Sequence, residues 1–327
     1  MSVKLIRKYA GVCLFASLFS LAIGSLARAE GDLAVHYVFN EGSGSVSYDD
    51  STNKNNGKIC GAEYVKSAKG YAVEGYALKF DGADDYIDGG NNASLNIGTN
   101  DFSIEFWCDI DALPDGYWGL ISKKSGDWGA AHRGYEIIVN LSAWMYIGDG
   151  NTSPGYIART STVLENTGWH HIVFTLDRDG NGKSYVDGDL EGTTAISSAQ
   201  GSLDNTLNLN IMRRSGSGYY VKGMIDEVRI YRRALSEKEI RENFKKKIAA
   251  KICSWKQVLT ENERKLNAMP ALAEEEKRKA QAALSALGAE IDKTERRGII
   301  YPFAQDEIDE SVRQLEGIIS DTKNKNP

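Results

Sequence analysis

The chain has 327 residues, a hydrophobic fraction of 42% and a formal net charge of −6 at pH 7. This acidic balance argues against nucleic acid or an anionic lipid surface as the main partner, because both are bound through clustered Lys and Arg. It suits neutral or cationic ligands, including calcium.

Residues 1–29 have the pattern of a secretory signal peptide. A basic start precedes the apolar run Gly11–Leu26, and Ala27–Ala29 forms a small-x-small cleavage site. The run is shorter than the ~20 residues that a membrane-spanning helix needs. Cleavage removes four basic residues and takes the net charge from −6 to −10. We therefore expect a secreted or periplasmic protein with no membrane span after cleavage.

The composition changes near Leu235. Of 33 glycines, three lie beyond this point, so residues 31–235 have the turn density of an all-β domain and residues 236–327 do not. The sequence therefore predicts two domains after the signal peptide.

Ten runs in the first domain are rich in β-branched and aromatic residues and predict strands. In chain order they are Leu33–Phe39, Ala77–Phe80, Phe102–Ile110, Tyr117–Ser122, Tyr135–Leu141, Ala143–Gly148, Trp169–Leu176, Ser184–Val186, Leu207–Met212 and Tyr220–Tyr231. Many short strands without helical periods predict a mainly β fold, a two-sheet antiparallel sandwich of the jelly-roll kind.

Two of these segments are especially informative. Asp179–Gly182 separates two strand-like runs and predicts a hairpin, because its residues tolerate positive φ. Further on, strict alternation puts Asp226 on the apolar face with Val228 and Ile230. A carboxylate there needs a partner, since burying an unpaired charge is costly. The candidate partners are a metal ion and an arginine such as Arg229 or Arg232.

Five segments carry a family resemblance. They are YALKFDGADDYIDGG at Tyr76, FSIEFWCDI at Phe102, GWHHIVFTLD at Gly168, SYVDGDLEGT at Ser184 and GMIDEVRIYRRALSEKEI at Gly223. In this order they resemble the laminin-G-like jelly-roll family of the concanavalin A-like lectin and glucanase superfamily, over residues 31–240. The resemblance implies the fold strongly and the function weakly.

A loop near the start of the domain is also similar to one in this family. It has polar or small residues at alternate positions: Asp49, Ser51, Asn53, Asn55 and Gly57. The resemblance implies a structural Ca²⁺ held by Asp49, Asn53 and Asn55 with Asp226, and such oxygen ligands suit calcium. The alternative is a turn that side-chain to backbone hydrogen bonds stabilise.

Aromatic residues in the middle third are candidates for sugar binding. Trp144 and Tyr146 share one face of a predicted strand, opposite Met145 and Ile147. The candidate ligand-binding residues are Trp118, Trp128, Trp144 and Tyr146. For each single residue, ordinary packing is the alternative.

Catalysis is not expected. The superfamily glucanases carry an E-x-D-x-E or E-x-D-x-x-E run that puts paired carboxylates on one strand face, as retaining glycosidases require. Here Glu105 and Asp109 share a face, but Trp107 lies between them. His170 and His171 alternate to opposite faces, so we interpret both as structural.

The mature chain has three cysteines, Cys60, Cys108 and Cys253. A disulfide between Cys60 and Cys108 suits an oxidising compartment. Small buried hydrophobic side chains are the equally open alternative.

The second domain is predicted to be helical. Apolar residues recur every three or four positions at Ile240, Phe244, Ile248, Ile252, Trp255 and Leu259. Ser236 and Glu239 form a capping box before this stripe. Two more apolar stripes follow, the first after Pro270 and the second after Pro302. The region 236–327 is either a self-contained bundle or an element for self-association or a protein partner.

Two functions remain. The first is an exported non-catalytic module that binds carbohydrate or a glycosylated surface and has a structural calcium site. The second is a structural or protein-interaction protein whose helical tail mediates assembly and whose sandwich binds no sugar. Exposed aromatics on a sheet would favour the first, and an exposed apolar stripe on the tail the second.

Overall fold

The computed structural model describes residues 32–66, 75–124, 132–150, 155–216, 218–268 and 274–297, with Arg313 and Gly317. The signal peptide, Trp128 and almost all of the third predicted helix lie outside these residues. The chain divides into two compact units. One contains Gly24–Ser67 and Gly75–Phe244, and Lys245–Pro327 falls in the other.

In its described residues the first unit contains sixteen strands, which form two antiparallel sheets. The strands are β1 (Leu33–Tyr37), β2 (Val46–Ser47), β3 (Gly57–Cys60), β4 (Glu63–Lys66), β5 (Tyr76–Asp81), β6 (Tyr86–Asp88), β7 (Phe102–Ile110), β8 (Trp118–Lys124), β9 (Gly134–Asn140), β10 (Ser142–Gly148), β11 (Tyr156–Arg159), β12 (Trp169–Leu176), β13 (Asn181–Val186), β14 (Asp189–Ala195), β15 (Asn210–Ile211) and β16 (Lys222–Tyr231). The mainly β class and the sandwich are thus confirmed.

The first sheet, sheet A, has the order β14-β13-β12-β7-β16-β5-β4. In addition, β1 pairs with residues 228–231 of β16, and β5 pairs with residues 222–225. Sheet B has the order β11-β10-β9-β8-β15-β6-β3-β2. Hairpins link β12-β13-β14 and β8-β9-β10-β11, whereas pairs such as β7-β16 and β6-β15 join strands that are distant in the chain. Each sheet therefore combines local and long-range pairing.

The core lies where alternate residues of the two sheets meet. In β7, Phe102, Ile104 and Phe106 are fully buried in it, and Ile137 and Val139 enter from β9. Burying each such side chain contributes roughly 1.5–3 kcal/mol to folding.

The strict alternation predicted for β16 is wrong. The pairing of β16 with β7 shifts register between Asp226 and Arg229, and Glu227 has a φ of 53°. This bulge places an extra residue in the strand. Consequently Ile225 joins Val228 and Ile230 in the core, whereas Asp226 stands opposite Trp107, outside the core cluster.

Sheet A ends in the hairpins that the turn residues predict. The chain turns between β12 and β13 at residues 177–180, so Asn181 and Gly182 of the predicted turn already belong to β13. The next turn, Asp187–Gly188, has φ values of 52° and 85°. Two consecutive positive φ values match the twist of a two-residue hairpin, and Asn, Asp and Gly adopt them most readily.

Two helices follow, α1 (Glu237–Asn267) and α2 (Glu274–Arg297). The capping box is confirmed, because Glu239 accepts a hydrogen bond from the Ser236 backbone and the Ser236 hydroxyl accepts one from Glu239 N–H. The apolar stripe from Ile240 to Leu259 is buried. Neither helix in the described part of the chain is long and apolar enough to cross a membrane.

The predicted disulfide is absent, because Cys60 and Cys108 are not bonded to one another. Cys108 is buried in the core, and burial raises the pKa of its thiol well above the ordinary value. Cys60 lies half-buried in sheet B. Cys108 therefore acts as a small hydrophobic side chain.

Candidate ligand-binding face

The outer face of sheet B carries the predicted aromatic pair. Ala143, Met145 and Ile147 of β10 point into the core, so Trp144 and Tyr146 point away from it. Trp144 is half-buried, and Tyr146 is 8% exposed. Trp144 is therefore the more accessible member of the pair.

Two side chains surround Trp144. Tyr117, which is 39% exposed, meets it edge-on with ring centroids 6.2 Å apart. Arg159 of β11 stands directly across from Trp144, and its guanidinium carbon lies 4.6 Å from the indole centroid. Such an arrangement is a cation–π contact. We call Tyr117, Trp144 and Arg159 the Trp144 cluster. The sequence pattern did not identify Arg159, since only the β10–β11 register brings it there.

Buried charges hold the neighbouring part of this face in place. Glu136, which stands across from Tyr146, receives hydrogen bonds of 3.0 and 3.1 Å from Arg214, and the ammonium of Lys124 lies 3.8 Å away. A bidentate arginine–carboxylate pair fixes geometry as well as charge. It therefore anchors the loop between β15 and β16 on sheet B.

A second predicted ligand-binding tryptophan, Trp118, packs against the core. Trp118 is half-buried against the core, and its indole N–H donates to the Pro114 carbonyl over 2.8 Å. Tyr219 covers it edge-on at 5.6 Å. These contacts agree with the alternative of ordinary packing for Trp118. Trp128 lies outside the described residues.

Asp49 in the predicted calcium loop is saturated with hydrogen bonds. Its Oδ1 accepts from the backbone N–H groups of His36 and Ser51, both at 2.8 Å. Its Oδ2 accepts from the Ser51 hydroxyl and the Asn55 N–H, both at 2.7 Å. A carboxylate has about four acceptor positions. All four are occupied, so Asp49 does not fit a calcium ligand in this arrangement.

The two asparagines of the loop differ from Asp49. Asn53 and Asn55 donate their side-chain N–H groups to the carbonyls of Leu33 and Ala34, at 2.6 and 2.8 Å. Asn55 Oδ1 is buried without a hydrogen-bond partner among the described atoms. Asn55 Oδ1 is therefore an oxygen of this loop that could still coordinate an ion. Calcium binding stays a prediction.

Asp226, the fourth predicted ligand, has its own environment. Its carboxylate accepts a hydrogen bond of 2.8 Å from Glu227 N–H. Burial works against the charge on Arg229, but Glu227, Glu105 and Asp226 together raise its pKa. The structure pairs Arg229 with Glu227, and the charge of Asp226 is the smallest of these contributions, so the arginine alternative for Asp226 stays a prediction.

A second acidic group was not singled out from the sequence. The carboxylates of Asp81, Asp84 and Asp85 lie within 4.8 Å of one another. Burial, with the nearby charges of Asp81 and Asp84, raises the pKa of Asp85. Asp85 also accepts a hydrogen bond from Asp81 N–H, and Asp81 accepts one from Ala83 N–H. These bonds close the turn after β5.

Glu105 of β7 has a structural environment. Glu105 is fully buried and accepts hydrogen bonds from His171, Tyr231 and Asn243. A glycosidase carboxylate must reach the substrate, and this one cannot. His170 is bonded to Asp187 at 2.9 Å, which agrees with the structural interpretation of both histidines.

Comparisons with known proteins identify the fold. Residues 81–241 match the family model described as the concanavalin A-like lectin/glucanases superfamily. Among solved structures, the binding domain of Paraclostridial Mosquitocidal Protein 1 matches with a TM-score of 0.55 and 18% identity, covering 67% of this chain and 53% of that one. No curated protein matches the sequence.

Two botulinum neurotoxin structures are also similar. The serotype D ligand-binding domain in complex with N-acetylneuraminic acid has a TM-score of 0.53 and 14% identity, covering 68% of this chain and 52% of that one. The DC binding domain in complex with rat synaptotagmin II has a TM-score of 0.51 and 15% identity, covering 67% and 52%. The matches thus span about half of each toxin domain.

Proposed function

Because the strand sandwich belongs to the laminin-G-like family of the concanavalin A-like lectin and glucanase superfamily, we propose that this chain is a non-catalytic module that binds carbohydrate or a glycosylated surface. The Trp144 cluster is the observation that carries this proposal. It puts an accessible indole, a phenol and a guanidinium on one sheet face. Aromatic rings bind the C–H faces of sugars, and the polar tips orient the hydroxyls.

The similar toxin domains support the same class of function. One was solved with N-acetylneuraminic acid and another with a protein, synaptotagmin II. A sandwich of this kind therefore suits glycoconjugate or protein partners. Burial of Glu105 supports the absence of glycosidase chemistry.

The helical region supports the alternative function less. Ile248, Ile252, Trp255 and Leu259 are buried, so this apolar stripe does not offer an exposed surface for a partner. We propose export on the basis of residues 1–29, and sequencing of the mature N-terminus tests it. Cleavage after Ala29 is the expected result.

A glycan array tests the proposed function. The mature protein is applied in calcium and in chelator, beside Trp144→Ala and the control Tyr48→Ala. Tyr48 is 58% exposed and lies in the loop after β2, outside the Trp144 cluster. We expect glycan binding that Trp144→Ala loses and Tyr48→Ala retains. Binding in calcium alone would support the ion, and no binding in either buffer would overturn the proposal.

A further inference from the structure

Arg159 occupies a position that a neutral sugar would need. Its guanidinium carbon lies 4.6 Å from the centroid of the Trp144 ring, so the cation covers one face of the indole. The ring of Tyr117 makes an edge-on contact with the same indole. A neutral sugar stacking on that face would have to displace the guanidinium and forfeit the cation–π contact. An anion could instead bind to the guanidinium where it is.

The charge of Arg159 is not neutralised within the described part of the chain. Its side chain is exposed, and the stack on Trp144 is the contact that the structure gives it. Glu191, a carboxylate along this edge, accepts hydrogen bonds from Ser161 N–H and from the N–H and hydroxyl of Thr162. Glu191 is therefore already engaged.

The backbone of Arg159 is fixed. It pairs with Trp144 across β10 and β11, and its carbonyl accepts a hydrogen bond of 2.8 Å from the Ser184 hydroxyl. The stacked guanidinium is therefore held before a ligand arrives, which lowers the entropy lost on binding. Its planar N–H fork matches the paired oxygens of a carboxylate or a sulfate.

Apolar groups lie at the same end of sheet B. Leu141 and Val163 are 55% and 47% exposed, and the Leu164 N–H donates to the Leu141 carbonyl over 2.7 Å. On the other side, Asn140 donates to the Gly116 carbonyl, next to the exposed Tyr117. A ligand on Arg159 would thus have apolar surface beside it, as a sugar ring with an acidic substituent requires.

We propose that the Trp144 cluster selects acidic sugars, with the carboxylate or sulfate of the sugar bound bidentately by Arg159 and the ring resting against Tyr117. This inference rests on the proposed function and names the ligand class of the same site. An exposed guanidinium on an acidic protein gives specificity for a local anion and not for polyanions in general.

Calorimetry with matched ligands tests the proposal. The ligands are an oligouronate, a sulfated oligosaccharide and their neutral counterparts, made by carboxyl reduction and by desulfation. The proteins are the mature wild type, Arg159→Gln, Arg159→Lys and the control Lys79→Gln, which removes an exposed cation from sheet A. The thermal midpoint of each variant verifies that it is folded.

We expect the wild type to bind at least one acidic ligand about tenfold or more tightly than its neutral counterpart. Arg159→Gln should abolish this preference, Arg159→Lys should retain part of it, and Lys79→Gln should leave it unchanged. Whether the uronate or the sulfate binds identifies the anionic group. Glycan binding that depends on Trp144 but is the same in Arg159→Gln would overturn this inference and leave the proposed function standing. Binding of no glycan by any variant would overturn both.

Discussion

His171 Nε2 lies 2.8 Å from Glu105 Oε1, in the buried centre of the outer face of sheet A. The imidazole packs against the rings of Trp107 and Phe244, at centroid distances of 4.9 and 5.8 Å, and these two rings stack on each other at 5.7 Å. Tyr231 donates a further hydrogen bond of 2.8 Å to Glu105. One carboxylate thus joins β7, β12 and β16 and receives a bond from Asn243 at the beginning of α1.

Substituting Glu105 should destabilise the sandwich strongly. In Glu105→Gln the hydrogen-bond donors His171, Tyr231 and Asn243 lose a buried anionic acceptor, and the charge of Arg229 loses a nearby counter-charge. Breaking a buried pair costs about 3–5 kcal/mol. Urea unfolding should therefore show a free energy of unfolding lower by about 3 kcal/mol. Glu63→Gln, at an exposed position of β4, is the control and should change it by less than ~0.5 kcal/mol. A loss in Glu105→Gln no larger than in the control would contradict this role.

The same carboxylate should contribute to acid sensitivity. Burial alone would raise the pKa of Glu105, but hydrogen bonds from His171 and Tyr231 and the charge of Arg229 hold that pKa at about 2, below the ordinary 4.5. Between these two values the unfolded state binds the proton and the folded state does not, so stability falls as the pH falls from 4.5 towards 2. Urea midpoints measured in this range should fall less steeply for Glu105→Gln than for the wild type. An equal fall of the urea midpoint with pH in Glu105→Gln and in the wild type would contradict this contribution of Glu105.

Gly119 should not tolerate a methyl group. A Cβ at Gly119 would lie 2.3 Å from the backbone nitrogen of Arg214, whereas one at Gly218 in the same loop region would meet Tyr220 at 3.8 Å. Overpacking against backbone costs typically 1–3 kcal/mol. We expect Gly119→Ala to lower the thermal midpoint by several degrees and Gly218→Ala to leave it nearly unchanged. Equal midpoints in the two variants would show that the loop does not pack on β8 as described.

Asp49 should stabilise its loop with or without calcium. Asp49→Asn replaces the carboxylate that accepts hydrogen bonds from His36, Ser51 and Asn55 with a neutral amide that has fewer acceptor positions. Each buried polar group left unpaired lowers the free energy of unfolding by roughly 1–3 kcal/mol. Thermal unfolding in chelator should already show the full difference from the wild type. A difference that develops only when calcium is added would mean that Asp49 is an ion ligand instead.

Much of the fold follows from the sequence, because its strands carry strong signals. Phe102–Ile110 and Trp169–Leu176 are found with the predicted bounds. The two-residue strand Val46–Ser47 is too short for a periodic pattern and depends on its pairing with β3. The bulge at Glu227 could not be predicted from the sequence either, because the pairing of β16 with β7 determines its positive φ.

The candidate site was predictable in part. Alternation places Trp144 on the outward face, but the same argument cannot say that Trp118 is held against the core by Pro114. Arg159 could not be predicted from the sequence, because its contact with Trp144 depends on the register between β10 and β11. That register shifts between Met145 and Tyr146. Pair geometry across strands is a property of the folded sheet.

The proposed function depends on sugar binding at the Trp144 cluster. The most direct test is the dissociation constant of the tightest array ligand, measured by calorimetry for the wild type, Trp144→Ala and Tyr48→Ala under identical salt. We expect Trp144→Ala to weaken sugar binding about tenfold or more, and Tyr48→Ala to stay within twofold of the wild type. Equal affinities for the wild type and Trp144→Ala would contradict it and place the binding site elsewhere.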